Sequence, residues 1–373
     1  MVDFPGYRNG YWNGPTQRAT ICRRTQALDL EAQAMTTTGK LGIAIAGVGR
    51  IGQLHARVIT EQVPNARLTA VYDISADTAA AAANQFDVAV ASDIDELLAA
   101  PDVDAIAICT ATPTHVELII KAAAAGKAVF CEKPISMSLA EVDAALAAIE
   151  AAGVPFMVGF NRRFDPGHAS VQQAARSGAL GRLTMARITS RDPAPPPIEY
   201  LKMSGGIWTD MLIHDFDMAN FIMGSPVVKV WAQGAALFDE QIAALGDFDT
   251  AIAVLTHANG AITTIDGSRK AVYGYDQRVE AFGTSGMAIS DNQRVNNSQI
   301  YLSESSQQAP FQYFFLERYA ESFKNEWLAF TNYALNGGAS PVSGADGRAP
   351  VAIAMAAAIS ATQGRQVSID EIN

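Results

Sequence analysis

The sequence predicts an α/β protein with a doubly wound parallel sheet in its first half and an α+β domain in its second half. Between residues 40 and 160, short apolar segments alternate with helical segments, which is typical of βαβ units. After residue 160, strand-like segments follow one another directly, and Asn259-Gly260 separates two of them. Because Asn-Gly is a strong hairpin signal, we expect a large, mostly antiparallel open sheet in this half.

Six apolar strands are expected in the first half, each followed by a helix except the last. In chain order they are KLGIAIAG, ARLTAVYD, VAVAS, VDAIAICTA, KAVFCEKP and PFMVGF. Parallel strands joined by right-handed helical crossovers are covered on both faces, which explains why these segments are apolar throughout. The pattern predicts a first domain over residues 40–160.

The second half begins with a predicted helix at DPGHASVQQAARSG and a strand at RLTMARITS, followed by the proline-rich loop RDPAPPP. A helix is expected at GIWTDMLIHDFDMANFIMG. The later predicted strands are VVKVWAQGAAL, DTAIAVLTHANGAITTIDGSRK, QRVEAFGTSGMAIS and RVNNSQIYLS, and two helical segments close the chain near residues 317–336 and 347–362. These elements predict a second domain over residues 161–373. Residues 1–39 show no helical or strand periodicity, and we expect an irregular extension there.

Composition narrows the classes of function. The 373 residues are 49% hydrophobic and carry a formal net charge of −11, which argues against nucleic acid or an anionic membrane as a partner. No apolar run is long enough for a membrane helix. The three cysteines match neither a disulfide framework nor a zinc pattern, so we expect a reducing, cytoplasmic location and no metal.

A glycine motif follows the first strand and opens the next helix. In GVGRIG, Gly47 suits the tight turn, Gly49 lets a pyrophosphate approach the backbone, and Gly52 allows close packing of helix and strand. A plain glycine-rich turn is the alternative, but Asp73 ends the next strand, where an acid binds the adenosine ribose. The motif therefore predicts a Rossmann domain that binds NAD in preference to NADP. Flavin shares the motif, and we prefer nicotinamide because the remaining site residues suit alcohol oxidation.

The ends of parallel strands hold the other candidates, since ligands bind beyond the carboxyl ends of such strands. TATPTH offers Thr110 and Thr112 beside the nicotinamide end, and CEKP offers Lys133. A lysine at a strand end is most often a solvated charge. Lys133, however, is followed by Pro134, which constrains the turn and tolerates a cis peptide bond.

Polar residues also form a stripe on the predicted helix GIWTDMLIHDFDMANFIMG. Asp210, His214 and Asp217 are spaced i, i+4 and i+7 along a segment that is otherwise apolar. Buried carboxylates are costly unless they are paired or functional. A satisfied Asp–His core pair and a solvent-facing stripe remain alternatives. A metal site is disfavoured because the other His and Cys residues are scattered.

Together, GVGRIG, CEKP, GFNRRFD and GGIWTDMLIHDFD resemble the Gfo/Idh/MocA oxidoreductase family over residues 40–368. Within that family, GFNRRFD and YGYD make the chain most similar to inositol 2-dehydrogenases. The resemblance implies NAD-dependent oxidation of a polyol hydroxyl. It also implies assembly as a dimer or tetramer through the open face of the second sheet.

The resemblance assigns roles to individual positions. Lys133 would polarise the substrate hydroxyl, His214 would be the base, and Asp210 would complete the proton relay. The residues predicted to bind the substrate are Lys133, Arg162, Asp192, Asp210, His214, Tyr273 and Tyr275. The residues predicted to bind the cofactor are Gly47, Gly49, Arg50, Ile51, Gly52, Asp73, Ile74, Thr110, Thr112, His115, Glu132, Lys133 and Arg162.

Departures from the family pattern leave the substrate open. ITSRDPAPPP carries a serine where inositol-oxidising relatives commonly have histidine, it has Asp192 where they have asparagine, and the loop is longer. Myo-inositol, scyllo-inositol and a pyranose sugar all remain candidates, the last through a sugar dehydrogenase on the same scaffold. A non-catalytic dinucleotide sensor is a further alternative. The presence of Lys133, Asp210 and His214 together argues against it.

Overall fold

The computed structural model describes residues 39–372. The irregular extension expected for residues 1–39 therefore lies outside the described residues, apart from Gly39. Two clusters of buried apolar side chains form the core, one around each main sheet.

The first sheet has six parallel strands in the order β3-β2-β1-β4-β5-β6. All six strands were predicted from the sequence. They are β1 (Leu41–Ala46), β2 (Ala66–Tyr72), β3 (Ala89–Val90), β4 (Ala105–Ile108), β5 (Ala128–Glu132) and β6 (Phe156–Gly159). The connecting helices are α1 (Arg50–Gln62), α2 (Ala76–Phe86), α3 (Ile94–Ala99), α4 (His115–Ala124) and α5 (Leu139–Ala152). Strand order reverses between β1 and β4, which opens a crevice at their carboxyl ends.

Local chemistry sets the ends of these helices. Ser75 accepts a hydrogen bond from the backbone N–H of Thr78 at the start of α2, and Asp93 caps α3 in the same way through Glu96. Such caps satisfy backbone donors that have no partner within the helix. Helix α5 ends at Gly153, whose φ of 65° is in the left-handed region that glycine adopts without strain.

Helices and strands alternate less regularly in the second half. The helices are α6 (Pro166–Arg176), α7 (Ile198–Leu201), α8 (Ile213–Met223), α9 (Glu240–Ala244), α10 (Phe315–Arg318), α11 (Ala320–Asn336) and α12 (Gly344–Gln363). The strands are β7 (Leu183–Arg191), β8 (Val227–Ala235), β9 (Thr250–His257), β10 (Ile262–Ser268), β11 (Asp276–Gly283), β12 (Gly286–Ser290), β13 (Gln299–Tyr301), β14 (Ser306–Gln308) and β15 (Val367–Ser368).

The second sheet has seven strands in the order β12-β11-β7-β10-β9-β8-β15. Its pairs are antiparallel except for β7 and β10, so the prediction of a mostly antiparallel sheet is confirmed. The hairpin signal at Asn259-Gly260 joins β9 to β10, and Gly260 takes a φ of +84°. The predicted strand RVNNSQIYLS does not join this sheet. Its β13 part pairs with β14, and all three residues of β13 are exposed.

Among residues 39–372, helices α6, α8 and α12 pack against the second sheet, and apolar side chains on its opposite, open face are exposed. Along β11 the alternation is clear, because Val279 and Ala281 are buried whereas Phe282 is exposed. This period of two is that of a strand with one buried face. The open face therefore presents its own row of side chains.

Helix α11 returns to the first sheet although it lies near the end of the chain. It packs against α1, and its Trp327 ring stacks on Phe130 of β5 with ring centroids 4.6 Å apart. Trp327, Phe323 and Phe330 belong to the buried cluster around the first sheet. The two domains predicted with a single boundary at residue 160 thus share elements across that boundary.

Candidate active site

The glycine loop between β1 and α1 has the geometry of a phosphate-binding turn. Gly47 has a φ of +88°, and a Cβ there would lie 2.7 Å from the carbonyl of Cys109. A Cβ on Gly52 would lie 1.9 Å from the carbonyl oxygen of Gly47, whereas one on Gly49 would have nothing within 4 Å. Gly49 also begins α1 without a side-chain cap. Among residues 39–372, no atom therefore crowds the start of α1 at Gly49, and the uncapped helix N-terminus suits a dinucleotide pyrophosphate.

Asp73 lies beside this loop at the end of β2. Its two carboxylate oxygens accept hydrogen bonds from the backbone N–H groups of Val48 and Ser75, each at 2.9 Å. The next residue, Ile74, is 95% exposed, and Arg50 lies 5.9 Å from the ring of Phe314. Ile51 packs against the buried core as a partly buried side chain. Asp73 and Ile74 thus border the space in front of Gly49.

A buried histidine joins two of the strand-end loops. The Nδ1 of His115 lies 2.8 Å from the carbonyl oxygen of Pro134, and its Nε2 lies 3.1 Å from that of Thr110. Burial lowers the pKa of His115, and a neutral ring donates to one of these carbonyls at a time. In this structure the His115 side chain therefore links the loops. The Thr110 hydroxyl bonds with that of Thr114, and Thr112 begins the short turn between them.

Glu132 is held by the protein on both carboxylate oxygens. Its Oε1 lies 2.8 Å from Nε2 of His55, and its Oε2 accepts from the backbone N–H of Lys133. The indole N–H of Trp327 donates to Nδ1 of His55 at 2.8 Å, so the proton of His55 is on Nε2 and points at Glu132. This buried chain of hydrogen bonds holds the turn that carries Lys133. Neither His55 nor Trp327 was predicted as a site residue.

Lys133 crosses from the first sheet to the second half of the chain. Its Nζ donates to the main-chain oxygen of Asp210 at 2.8 Å and lies 3.9 Å from the Oδ1 of the same residue. The Lys133–Pro134 peptide bond is cis. The structure therefore brings together two of the residues that the sequence singled out from different domains.

Asp210 lies in a single π-helical turn, Ile207–Met211, which precedes α8. The helix predicted over this segment is present, but it consists of a π turn followed by α8 from Ile213 and is not one uniform α-helix. Asp217, expected on the same stripe, instead forms a buried pair with Arg163, at 2.6 Å from Nη2. Arg163 also bonds Asp346 at 2.9 Å. Asp217 thus has a structural partner and is not part of the cluster around Lys133.

Two further side chains contact the Asp210 carboxylate, and neither was predicted. Tyr200 donates to Oδ1 at 2.7 Å, and Nη1 of Arg269 lies 3.4 Å from Oδ2. Arg269 is fully buried and also contacts Asp247 at 3.3 Å. Asp247 in turn accepts from the backbone N–H of Ile207, which begins the π turn. The carboxylate of Asp210 is therefore fixed from both sides.

His214 lies on α8, one turn beyond Asp210. Its Nδ1 is buried and has no hydrogen-bond partner among the described residues, and its ring meets Phe160 edge to face at 5.8 Å. Burial, with smaller effects from Lys133 and Arg162, lowers the pKa of His214 well below its usual value. The imidazole is therefore neutral near pH 7, which is the form that accepts a proton.

Arg162 is buried and follows β6. Its Nη1 donates to Asp215 at 2.9 Å and to the Ser190 hydroxyl at 3.3 Å, and its guanidinium lies 5.7 Å from the Tyr319 ring. Burial raises the pKa of Asp215 to about 6 despite Arg162. Within residues 39–372, one oxygen of Asp215 and the side-chain nitrogen of Gln277 are buried without a hydrogen-bond partner. Partnerless buried groups such as these are candidates for contact with a polar ligand.

Asp192 and the two predicted tyrosines occupy different environments. Burial raises the pKa of Asp192 to about 6 against the lowering effect of Arg162. Tyr275 is buried and meets Tyr319 edge to face at 6.0 Å. Tyr273 is 48% exposed, and its hydroxyl bonds Asp276 and Arg191. The hydroxyl of Tyr273 is thus already engaged by the protein.

These groups include a neutral imidazole that can accept a proton and several hydrogen-bond donors and acceptors. Among residues 39–372, no group of three or more His, Cys, Asp or Glu side chains could hold a metal ion. Within the same range, no helix is long and apolar enough to cross a membrane. The arrangement suits oxidation of an alcohol by an organic cofactor.

Comparison with known proteins also identifies an NAD-binding oxidoreductase. Residues 41–160 match the family description "Oxidoreductase family, NAD-binding Rossmann fold", and residues 168–289 match "GFO/IDH/MocA C-terminal domain". The chain is 43% identical to the myo-inositol 2-dehydrogenase of Thermotoga maritima over 331 residues, which is 88% of this chain and 99% of that protein.

Two solved structures show the similarity in three dimensions. A myo-inositol dehydrogenase from Corynebacterium glutamicum is 39% identical with a TM-score of 0.84, and the match covers 88% of this chain and 98% of that one. A scyllo-inositol dehydrogenase from Lactobacillus casei with bound NAD(H) and scyllo-inositol is 28% identical with a TM-score of 0.83, covering 89% and 99%. With both family domains matched in order along its length, the chain belongs to the Gfo/Idh/MocA oxidoreductase family.

Proposed function

We propose that this oxidoreductase oxidises one hydroxyl of a cyclic polyol, myo- or scyllo-inositol, to a ketone with NAD. The observation that carries the proposal is the approach of Lys133 to Asp210, with His214 four residues further along the chain. The relatives named above act on inositols by their printed names, which supports the choice of substrate. NAD, when bound, supplies the acceptor for the hydride.

The glycine loop fits the cofactor. The open space in front of Gly49 accommodates the pyrophosphate, and Asp73 at the end of β2 is placed to accept hydrogen bonds from a ribose. We propose that the residues predicted from the sequence to bind the cofactor do so. His115 and Glu132 act there through the loops that they hold, since their polar atoms already have protein partners.

Each residue of the catalytic group has a separate task. The neutral imidazole of His214 accepts the proton of the substrate hydroxyl, because its lowered pKa keeps it unprotonated near neutrality. The ammonium group of Lys133 donates a hydrogen bond to the oxygen that gains negative charge. Asp210 keeps Lys133 in place and completes the relay. Arg162 and Asp192 are proposed to bind the other hydroxyls, with Tyr273 and Tyr275 at the margin of the pocket.

Substrate and catalytic roles are tested by separate measurements. Formation of NADH should be followed with myo-, scyllo- and D-chiro-inositol and with glucose. Turnover of an inositol supports the proposal, whereas turnover of glucose alone assigns the site to a pyranose. The variants Lys133→Ala and His214→Ala should each lower kcat at least ~10²-fold, the size of a general acid–base contribution, while NAD binding persists. Rates like those of the wild type in both variants would show that the catalytic assignment is wrong.

We also propose a homo-oligomer, a dimer or tetramer, formed through the open face of the second sheet. Phe282, Met185 and Ile262 are adjacent in register on β11, β7 and β10, and Met287 of β12 pairs with Phe282. The four side chains are 40–53% exposed, and they form an apolar row across four strands. Such rows are typical of subunit interfaces. Phe282→Lys should lower the mass measured by light scattering to that of a smaller species, and an unchanged mass would refute this interface.

For location we retain the cytoplasm. Cys109 and Cys131 are both free and buried, and burial raises the pKa of each thiol. Buried protonated thiols are chemically inert. Their presence as free thiols is consistent with a reducing compartment, and fractionation of cells that express the chain would test the assignment.

A further inference from the structure

The hydroxyl of Tyr200 makes a contact that the proposed reaction does not yet use. It donates to Oδ1 of Asp210 at 2.7 Å, and the same oxygen lies 3.9 Å from Nζ of Lys133. A hydrogen bond to a charged acceptor is short and strong compared with one between neutral groups. One oxygen of Asp210 therefore lies between a tyrosine hydroxyl and the lysine ammonium.

The chain delivers Tyr200 to this place on a stiff segment. The loop between β7 and α7 is rich in proline, and each proline fixes its own backbone φ. Its prolines are Pro193, Pro195, Pro196 and Pro197. The short helix α7 is then anchored by Leu201, which is 4% exposed, while Tyr200 is 48% exposed. Because the approach is already ordered, little conformational entropy is lost when the hydroxyl meets Asp210.

The protonation state of the tyrosine suits a permanent donor. Partial loss of solvation, the charge of the Asp210 carboxylate and the hydrogen bond to it raise the pKa of Tyr200. The phenol therefore keeps its proton near neutrality and donates it to Asp210. Oδ2 of the same carboxylate faces Arg269 at 3.4 Å, so rotation of Asp210 would cost contacts on both sides.

We propose that Tyr200 is a positioning residue for the oxidation step, which acts by holding Oδ1 of Asp210 towards Lys133. The proposal rests on the catalytic role of Asp210 given above. Without the hydroxyl, Arg269 still contacts Oδ2, but Oδ1 is held less firmly, and the lysine has a less well oriented counter-charge when it must stabilise the developing alkoxide. The effect should therefore appear in kcat and leave NAD binding unchanged.

A double-mutant cycle tests the proposal. The proteins are the wild type, Tyr200→Phe, Asp210→Asn and the double variant, with Tyr301→Phe as a matched control on the exposed β13 strand. The assay is NADH formation with myo-inositol, scyllo-inositol and glucose. Tyr200→Phe should lower kcat ~10- to 100-fold, the range of a lost hydrogen bond to a charged group. The control should keep the kcat of the wild type, and both single tyrosine variants should keep its KM for NAD and its Tm.

The combined variants identify the route of the effect. If Tyr200 acts through Asp210, adding Tyr200→Phe to Asp210→Asn should lower kcat by less than twofold more. Independent, multiplied losses would overturn the proposal, as would a kcat for Tyr200→Phe within twofold of the wild type. An Asp210→Asn variant with the kcat of the wild type would instead refute the catalytic role of Asp210 itself, and the role of Tyr200 with it. Turnover of glucose alone would refute the inositol assignment. The kcat values of the double-mutant cycle would then be compared with glucose as the substrate.

Discussion

Alanine substitutions at two glycines of the same loop should separate an effect on cofactor binding from an effect on protein stability. In Gly49→Ala the added methyl group meets no atom within 4 Å, and the backbone at Gly49 (φ −67°, ψ −162°) is open to alanine. In Gly52→Ala the methyl group would lie 1.9 Å from the carbonyl oxygen of Gly47, far inside contact distance. We therefore expect opposite outcomes from one chemical change.

The size of each effect follows from the contacts. Gly49→Ala should change the free energy of unfolding by less than about 1 kcal/mol, as for an uncapped helix start. Its methyl group occupies the space where phosphate oxygens reach the N–H groups of α1. Loss of one or two charge-assisted hydrogen bonds, about 3 kcal/mol in all, raises the Kd for NAD ~10²-fold. Gly52→Ala forces the loop to move and should cost on the order of 3 kcal/mol of stability.

Two measurements separate these outcomes. Titration of NADH fluorescence gives the Kd, and urea unfolding gives the stability of the same samples. Gly39→Ala is a matched control, because its methyl group also meets nothing within 4 Å and Gly39 precedes the opposite end of β1. A Gly49→Ala variant that binds NAD like the control would refute the assignment of this loop. Equal losses of stability in Gly49→Ala and Gly52→Ala would refute the packing argument.

Three other changes have defined outcomes. Asp73→Ser removes the carboxylate that repels a 2′-phosphate. The ratio of kcat/KM for NADP to that for NAD should therefore rise at least about tenfold, or ~1.4 kcal/mol. An unchanged ratio would contradict the contact between Asp73 and the ribose. Trp327→Phe leaves Nδ1 of buried His55 without a donor and removes ring volume. Urea unfolding should therefore show a free energy of unfolding lower by about 2–4 kcal/mol, and kcat should fall. Wild-type values of both would refute the role of the hydrogen bonds from Trp327 through His55 to Glu132. Burial and Glu132 raise the pKa of Glu326 well above 4.5, so the folded state keeps a proton that the unfolded state loses above about pH 4.5. Stability should therefore fall as pH rises, and Glu326→Gln should raise Tm more at pH 9 than at pH 6, whereas equal shifts at both pH values would contradict this.

Periodicity was enough for the first sheet. Its strands are short and mostly apolar, and they alternate with helices, some of which have clear start or stop signals, such as Ser75 before α2 and Gly153 after α5. Local rules therefore predict both the elements and their parallel arrangement. The Asn259-Gly260 hairpin was predictable for the same reason, because the turn and both strands are neighbours in sequence.

Contacts between distant segments were beyond local rules. Nothing near Asp210 in sequence indicates that Arg269 faces it, and Trp327 meets His55 across 272 positions. Strand β7 pairs in parallel with β10, and this placement depends on the packing of the whole sheet. Lys133 and Asp210 could be predicted as site residues from their positions on a strand end and a helix face, because periodicity determines the side of an element on which a residue lies. It could not find Tyr200, whose role depends on the path of an irregular loop.

The contact between Lys133 and Asp210 has two parts that respond differently to substitution. Nζ donates to the main-chain oxygen of Asp210 at 2.8 Å, whereas the carboxylate oxygen lies farther away, at 3.9 Å. A change of the side chain at this position removes the carboxylate but leaves the carbonyl, which the π turn holds through the contact of Ile207 with Asp247. Lys133 thus keeps its nearer acceptor in an Asp210→Asn protein. A fall in kcat in that variant therefore reports the loss of the charged, oriented carboxylate and not a displaced lysine.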